Sequence, residues 1–404
     1  MSEKKKILVV FPVVPYPLRE NGTSIRYLPF LRRLNIDYEL DIIVIDDISR
    51  DSISGLGEYC NNYFVVEKPR KSKYWLLESL LLYFLWVFPW TPPHSSQYYG
   101  SRQTINSIAN SSNRKYDLII WVTSTYLSML PPIRSRLGIK KVLIDFIDSP
   151  SLIMERRMKQ LCSRGFLDRY ELWKMRKWEK SIAKTADSVV YISAVDAGAT
   201  GGNNELNHAH VIPNGVDASD YTDKCGLNYG DMTIGYLGNM SYEPNVTAVR
   251  WLYNNLLCKI GDNTVKLVVI GKDADQQILS LADDPRVILT GTVDSIWPYI
   301  NSVDIFVLPI FTGAGLKNKV LEIMYAGGPL VTTTIGNEGI DAEPGTQLFI
   351  CQNEQEFIVR INQLLEDKEL RKRMGQEARE FVNRNFNSES IVKAYMAMIE
   401  SCLN

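Results

Sequence analysis

The sequence predicts an α/β protein of two doubly wound domains, in which helices cover both faces of a parallel sheet. Short apolar runs rich in β-branched residues alternate with longer helical patterns, and this alternation is typical of parallel sheets. A polar segment at 196–230, which contains glycine and asparagine, divides the runs into two series. The chain has 404 residues, which is enough for each domain to bury its own core.

Each series supplies five predicted strands. The first covers residues 7–11, 40–45, 117–122, 141–146 and 188–193. The second follows the turn at Pro213-Asn214-Gly215 and covers residues 233–237, 266–270, 287–290, 304–308 and 329–333. We therefore expect a first domain over residues 1–195 and a second over residues 196–385. Ligands of such sheets bind beyond the carboxyl ends of the strands, so the loops there carry the candidate sites.

Composition excludes several kinds of partner. The 45 basic and 46 acidic residues give a net charge of -1, so the chain lacks the excess positive charge that attracts nucleic acid. Six scattered cysteines include no CxxC pair, and only three histidines are present to complete a metal site. We expect free thiols and no bound metal. The apolar run at 7–11 is too short for the core of a signal peptide, which predicts a cytoplasmic protein.

The segment from Gly313 to Glu322 has the composition of a phosphate-binding loop that leads into a helix. Gly313 and Gly315 permit a tight turn with close backbone approach, and the N–H groups at a helix start favour a diphosphate. Lys317 and Lys319 add positive charge, and the Glu322 carboxylate could accept hydrogen bonds from both ribose hydroxyls. The segment therefore predicts a nucleotide-diphosphate site, although glycine loops and lysine-rich helix starts also occur without a ligand.

This segment and four others resemble glycosyltransferase family 4. The donor motif of that family has two glutamates eight positions apart. The second falls on Glu322 and the first on Ala314, so the chain is similar to the branch that reads Gly-x-Gly-x-Lys-x-Lys-x-Leu-Glu. The other similar segments follow in the expected order at 212–217, 234–245, 268–271 and 289–293.

The resemblance implies the GT-B architecture, in which two Rossmann-like domains face a central cleft. The first domain would bind an acceptor and the second a nucleotide sugar, and a helix at 386–404 would cross back to the first domain. The donor contacts implied at the matching positions are Gly22, Asn239, Val293, Gly313, Gly315, Leu316, Lys317, Lys319 and Glu322. Asn239 stands where many relatives carry a basic residue, so more of the diphosphate charge would fall on Lys317.

A proline-rich loop follows the first predicted strand and turns at Asn21-Gly22 before a helix that we expect to begin near Ser24. It resembles the Gly-Gly loop of the family. Gly22 would let the backbone approach the donor diphosphate or the acceptor, with Thr23 or Ser24 as a polar contact. Arg26 on the same helix is a candidate phosphate or acceptor contact. The alternatives are a plain strand-to-helix turn and, for Arg26, a surface charge.

Two carboxylates, Asp145 and Asp148, lie at the end of the predicted strand at 141–146. Asp148 is the better placed to orient an acceptor hydroxyl or to accept its proton. The alternative is a capping role for the helix after Pro150. Many relatives carry a histidine in the corresponding loop, and none of the three histidines of this chain falls there.

The resemblance also implies transfer with retention, in which the leaving group departs and the acceptor attacks on the same face of the sugar. The task of the protein would then be mainly electrostatic. The candidate catalytic residues are Asp148, Lys317 and Glu322. We expect neither a cofactor nor a metal, because the lysine charge and the helix end replace a cation.

Two segments of the first domain predict contact with an anionic membrane. A basic stretch at 68–73 precedes an apolar, aromatic run at 74–90, which is shorter than the about 20 residues of a spanning helix. Residues 154–184 include ten Lys or Arg against four Asp or Glu, with Phe166, Tyr170 and Trp173 along one helical face. The alternative for the run at 74–90 is a buried helix.

The predicted function is thus the transfer of a sugar from a nucleotide-diphosphate donor to a hydroxyl of a cell-surface polysaccharide or a lipid-linked glycan. Two alternatives stay open. A sugar-nucleotide epimerase would need the same nucleotide site. A non-catalytic GT-B subunit is favoured by Ala314 and the missing histidine, and disfavoured by the intact Lys317 and Glu322. A dehydrogenase is disfavoured because no GxGxxG follows the first strand.

Overall fold

A computed structural model describes most of the chain. The chain divides into two compact units. The described residues are 4–68, 84–91, 93, 102–111, 114–160, 165–200, 208–219, 221–223, 227–260 and 264–404. The first unit comprises Met1–Gly215 and Glu389–Asn404, and the second comprises Val216–Ser388.

Seven parallel strands form the sheet of the first unit. They are β1 (Lys6–Phe11), β2 (Glu39–Ile45), β3 (Asn62–Val66), β4 (Leu118–Val122), β5 (Lys141–Asp145), β6 (Ser188–Tyr191) and β7 (Ala209–Val211). Their order across the sheet is β3-β2-β1-β4-β5-β6-β7. The direction of winding reverses between β1 and β4, so the switch point, where doubly wound sheets bind ligands, lies beyond the carboxyl ends of these two strands.

The strand β7 explains where the first unit ends. Val190 of β6 pairs with His210 of β7, so the chain remains part of the first sheet beyond residue 195. The unit boundary therefore falls between Gly215 and Val216, about twenty residues after the position expected from the polar segment. A strand of three residues is too short to produce a recognisable hydrophobic period.

Helices cover both faces of the first sheet. They are α1 (Gly22–Asp37), α2 (Arg102–Ser111), α3 (Leu130–Leu137), α4 (Pro150–Gln160), α5 (Phe166–Ala183) and α6 (Ala194–Ala199), with short 3-10 helices at Asp51–Tyr59 and Leu127–Met129. Alternate residues of β1 enter different cores: Ile7 and Val9 belong to one hydrophobic cluster, whereas Leu8 and Val10 belong to another. This period of two follows from the strand geometry of a sheet that is buried on both faces.

The sheet of the second unit has six parallel strands. They are β8 (Thr233–Leu237), β9 (Lys266–Ile270), β10 (Val287–Leu289), β11 (Ile305–Leu308), β12 (Leu330–Thr332) and β13 (Phe349–Ile350). Their order is β10-β9-β8-β11-β12-β13, which puts the switch point beyond the carboxyl ends of β8 and β11. The helices of this unit are α7 (Glu243–Leu252), α8 (Gln276–Leu279), α9 (Trp297–Ile300), α10 (Asn318–Ala326), α11 (Thr334–Asn337), α12 (Glu354–Glu366) and α13 (Lys368–Asn385).

The last helix, α14 (Ser388–Leu403), packs in the first unit. The ring of Tyr395 stacks on Phe30 of α1 with a centroid distance of 4.1 Å, and its hydroxyl lies 3.3 Å from that of Tyr27. Ile399 and Met398 join the same core cluster as α1. The apolar face of α14 therefore completes the core of the first sheet.

The helices in the described parts of the chain are too short or too polar to cross a membrane. The apolar run predicted at 74–90 lies largely outside the described residues, which begin again at residue 84.

Candidate functional site

The loop between β11 and α10 depends on two glycines. Gly313 has a φ of 109° and Gly315 a φ of 69°, which residues with a side chain rarely adopt. Lys317 follows in an extended conformation and directly precedes the helix. Two glycine turns thus bring a lysine and a helix N-terminus together at the switch point of the second sheet.

Lys317 folds back over its own loop. Its ammonium donates hydrogen bonds to the carbonyl oxygens of Ala314 and Gly315, at 2.7 and 2.5 Å. The side chain is half-buried. Its charge therefore adds to the positive end of the α10 dipole, and it also holds the loop in shape.

Lys319 links α10 to the strand on the other side of the switch point. Its ammonium donates to the hydroxyl of Tyr236 on β8 at 2.9 Å and to Oδ1 of Asn245 on α7 at 2.7 Å. It also lies 4.7 Å from the centre of the Tyr236 ring. One lysine of α10 is therefore connected to both β8 and α7.

The loops after β8 and β9 touch through their backbones. The amide of Gly238 donates to the carbonyl of Ile270 at 3.0 Å. Gly271 pairs with Gly291, and a Cβ atom on Gly271 would lie 1.8 Å from the carbonyl oxygen of Gly238. Glycine is required at Gly271 because another backbone occupies the space. This packing brings the loop that ends in Val293 to the same edge of the sheet.

Asn239 forms hydrogen bonds in the loop after β8 through both its backbone carbonyl and its side chain. Its carbonyl accepts a hydrogen bond from Nδ2 of Asn245 at 2.7 Å, and its side chain accepts one from the amide of Ser241 at 2.8 Å. The side chain of Asn239 is therefore used to close its own turn.

Two further predicted donor contacts lie close to the loop. Glu322 is in the second turn of α10 and is 8% exposed. Leu316 is 7% exposed, so its side chain belongs to the core and only its backbone can meet a ligand. The structure thus gathers the predicted donor residues of the second unit at the carboxyl edge of its sheet.

In the first unit, α1 begins at Gly22, and Asn21 caps it. Oδ1 of Asn21 accepts from the amide of Ser24 at 2.9 Å, and Oγ of Ser24 accepts from the amide of Asn21 at 3.2 Å. This is a capping box, and Ser24 is fully buried in it. Of the two predicted polar contacts, only Thr23 is outside this cap.

The prediction for Arg26 is wrong. The residue is 2% exposed, and its guanidinium pairs with the Asp145 carboxylate at 2.9 Å. It also donates to the carbonyl of Ile212 and to Oδ1 of Asn214, both at 2.9 Å. A side chain held by three partners in the core cannot also be a surface charge or an acceptor contact.

Asp148 is half-buried and lies directly before Ser149. Ser149 caps α4, because its Oγ accepts the amide of Leu152 at 3.3 Å. Ser149 therefore occupies the cap position next to α4. The other predicted carboxylate, Asp145, is buried with Arg26, which leaves Asp148 as the candidate of the pair.

A buried acidic cluster that the sequence analysis missed holds the Asp148 loop. Glu179 of α5 accepts from the amide of Ser151 at 3.1 Å, and Asp196 of α6 accepts from the amide of Ser149 at 2.9 Å. Burial raises the pKa of Glu179 to about 7, despite hydrogen bonds from the serines that lower it. No short sequence pattern could reveal the cluster, since its two carboxylates come from separate helices, α5 and α6.

Among the described residues, no group of three or more histidine, cysteine, aspartate or glutamate side chains is arranged to hold a metal ion. Metal independence stays a prediction.

Known proteins with sequences similar to this chain include glycosyltransferases. Residues 231–367 match the family model described as "Glycosyl transferases group 1". An uncharacterised 44.6 kDa protein in the cps region of Klebsiella pneumoniae is 21% identical over 96% of this chain and 97% of its own length. The capsular polysaccharide biosynthesis glycosyltransferase CapM of Staphylococcus aureus is 26% identical over 43% of this chain and 47% of its own.

Among solved structures, Anabaena HepE in complex with UDP-glucose superposes with a TM-score of 0.70 at 15% identity, over 98% of this chain and 99% of that one. The two doubly wound units have the GT-B fold of such solved structures. The family match over residues 231–367 and the named glycosyltransferase relatives show that the protein is a glycosyltransferase.

Proposed function

We propose that this enzyme transfers a sugar, with retention, from a nucleotide-diphosphate donor to a hydroxyl of a cell-surface polysaccharide or lipid-linked glycan. The observation that carries the proposal is the location of Lys317 and Lys319 beside two glycine turns and a helix start. This combination suits a diphosphate, because backbone N–H groups and the ammonium of Lys317 lie at one edge of the sheet, with Lys319 beside them. The complex of HepE with UDP-glucose and the capsular role of CapM support the donor and acceptor classes.

In the proposed reaction, the bond between the anomeric carbon and the diphosphate oxygen breaks, and a bond from the acceptor oxygen to the same carbon forms. Negative charge grows on the departing diphosphate, and Lys317 with the start of α10 would stabilise it. Glu322 would accept hydrogen bonds from the ribose hydroxyls. Asp148 would orient the acceptor hydroxyl or accept its proton.

We also propose that the first unit attaches to an anionic membrane, which would suit a lipid-linked acceptor. The support is an aromatic surface, made of residues with exposed apolar side chains on α5 and the segment at 84–91. Its members are Phe84, Val87, Trp90, Phe166, Leu167 and Trp173. Rings along α5 stack in series: Phe166 on Tyr170 at 6.4 Å and Tyr170 on Trp173 at 5.6 Å.

Lys174 joins the two parts of the aromatic surface. It is 2% exposed, and its ammonium donates to the carbonyls of Trp86 and Phe88, at 2.6 and 3.0 Å, and to the hydroxyl of Thr91 at 2.8 Å. Lys177 is exposed beside Trp173, with its ammonium 5.2 Å from the ring centre. Aromatic rings next to exposed cations fit the interface of an anionic bilayer.

The proposed function is tested by incubating the purified chain with a panel of nucleotide sugars and measuring the melting temperature. A donor at 100 times its Kd should stabilise the protein by about 2.7 kcal/mol. The donor that binds is then incubated with and without glycan acceptors. Transfer to an acceptor is the expected result. Epimerised free donor without acceptor would identify an epimerase, and failure of every nucleotide sugar to bind would contradict the proposal and favour a non-catalytic subunit.

A further inference from the structure

Lys319 is a half-buried cation whose contacts are all neutral. Its ammonium meets a hydroxyl, an amide oxygen and the face of a ring, from Tyr236 and Asn245. In the described part of the chain, its hydrogen bonds go to these two residues, and no carboxylate lies within the 4.0 Å that defines an ion pair. A buried ammonium without a counterion is costly, so this position favours either loss of the proton or arrival of an anion.

The surroundings of Lys319 favour loss of the proton when no anion is present. Burial, together with the smaller effect of the positive charge of Lys317, lowers the pKa of its ammonium to about 7. Tyr236 faces Lys319 from β8, and burial raises the pKa of its hydroxyl, so it remains protonated at neutral pH. Tyr242 also raises the pKa of the Tyr236 hydroxyl. Asn245, which contacts Lys319 from α7, is uncharged.

Asn245 connects Lys319 to the loop after β8. Its Oδ1 accepts from the lysine, and its Nδ2 donates to the carbonyl of Asn239 at 2.7 Å. Its oxygen also accepts from the hydroxyl of Tyr236 at 2.9 Å. A change in the charge of the lysine is thus transmitted directly to a loop at the edge where the diphosphate would lie.

We propose that Lys319, which Tyr236 and Asn245 position in surroundings without a carboxylate, is a neutral amine in the unliganded chain, so that a nucleoside diphosphate binds together with one proton. The inference rests on the proposed donor site in the second unit. On binding, a proton from the buffer forms an N–H bond with the amine, which becomes an ammonium paired with phosphate oxygens. No other bond changes.

Proton uptake can be measured by titrating the full chain with UDP, GDP and ADP in a calorimeter at pH 8, in two buffers of different ionisation enthalpy. At this pH the phosphates are fully ionised, since their last pKa is about 6. The amine is then about nine-tenths neutral, so nearly one proton should be taken up per diphosphate bound. The affinity should fall close to tenfold for each pH unit above 8 for as long as the bound lysine stays charged.

Three variants separate this inference from a purely structural role. Lys319→Arg keeps the charge and cannot lose its proton, so uptake should vanish while binding remains. Asn245→Asp provides a carboxylate beside the ammonium and should also abolish uptake. Lys372→Met, at an exposed position of α13, is the matched control and should leave both uptake and affinity unchanged.

The outcomes are distinct. Binding of a diphosphate without proton uptake, or full uptake in Lys319→Arg, would overturn this inference and leave the donor site intact. If none of the three diphosphates binds, the proposed function fails, and this inference fails with it.

Discussion

The guanidinium of Arg26 lies 2.9 Å from the carboxylate of Asp145, and neither side chain is exposed to solvent. The same guanidinium also binds the backbone at Ile212 and the side chain of Asn214. One buried cation thus connects α1, the end of β5 and the segment after β7. The prediction of an acceptor contact failed because a single arginine on an amphipathic helix has the same sequence signature whether it points out or in.

Arg26→Met should destabilise the first unit by about 3–5 kcal/mol, because it leaves the Asp145 carboxylate buried without a partner. Urea denaturation of the full chain measures the loss. The double variant Arg26→Met/Asp145→Leu should recover part of it, since both charges are then removed. A stable Arg26→Met protein with a raised KM for the acceptor would contradict the structural role.

Lys317→Met should lower kcat/KM by about 100- to 1000-fold, because the leaving diphosphate loses a charge that acts mainly in the transition state. Initial rates with the donor found in the binding panel give this ratio. Lys372→Met removes an exposed lysine of the same unit and serves as the control. Equal rates for the two variants would exclude Lys317 from the reaction.

Glu179 should make the stability of the first unit depend on pH. Its folded pKa of about 7 lies above the ordinary value of 4.5, so the folded state binds more protons between these values. Stability should therefore fall by up to about 3 kcal/mol as pH rises from 4.5 to 7, and then level off.

Glu179→Gln should abolish this decline, which urea denaturation at pH 5 and pH 8 can detect. Glu58→Gln is the control, because Glu58 is an exposed glutamate of the same unit. If the Glu179→Gln protein loses stability over this range as much as the unaltered chain, another group is responsible.

Membrane attachment should depend on the aromatic surface. The variant Trp90→Ser/Trp173→Ser should bind vesicles of phosphatidylcholine and phosphatidylglycerol at least about tenfold more weakly, because each indole contributes buried apolar area at the interface. Co-sedimentation measures the binding. Ile36→Ser, at a 61% exposed position of α1, is the control. Unchanged binding of the double variant, or equal binding to pure phosphatidylcholine, would count against the proposal.

The fold could be predicted because hydrophobic periodicity is a local property. Each of the ten predicted strands is present within about two residues of its expected bounds. The strands that escaped prediction include β7 and β13, of three and two residues, which are too short to show a period. They exist because a neighbouring strand offers unpaired backbone groups, which is information that no local window contains.

The candidate site could be predicted in part. Gly313 and Gly315 have positive φ, as a tight turn requires, and Lys317 precedes the helix start. Tyr236 and Asn245 lie within the similar segment at 234–245, where the sequence alone assigns them no role. Their importance comes from contact with Lys319, which is 74 residues after Asn245 in the chain.

The sequence by itself determined the alternation of strands and helices, the glycine-dependent loop and the presence of two lysines beside it, because backbone preference and hydrophobic period are encoded within a few residues. Tertiary structure alone decided that Arg26 is buried, that Glu179 lies among serines and that Lys319 lacks a carboxylate partner in the described part of the chain. Burial and charge pairing depend on groups distant in sequence, and they shift the energy and protonation of a side chain in ways that its chemical identity alone does not predict.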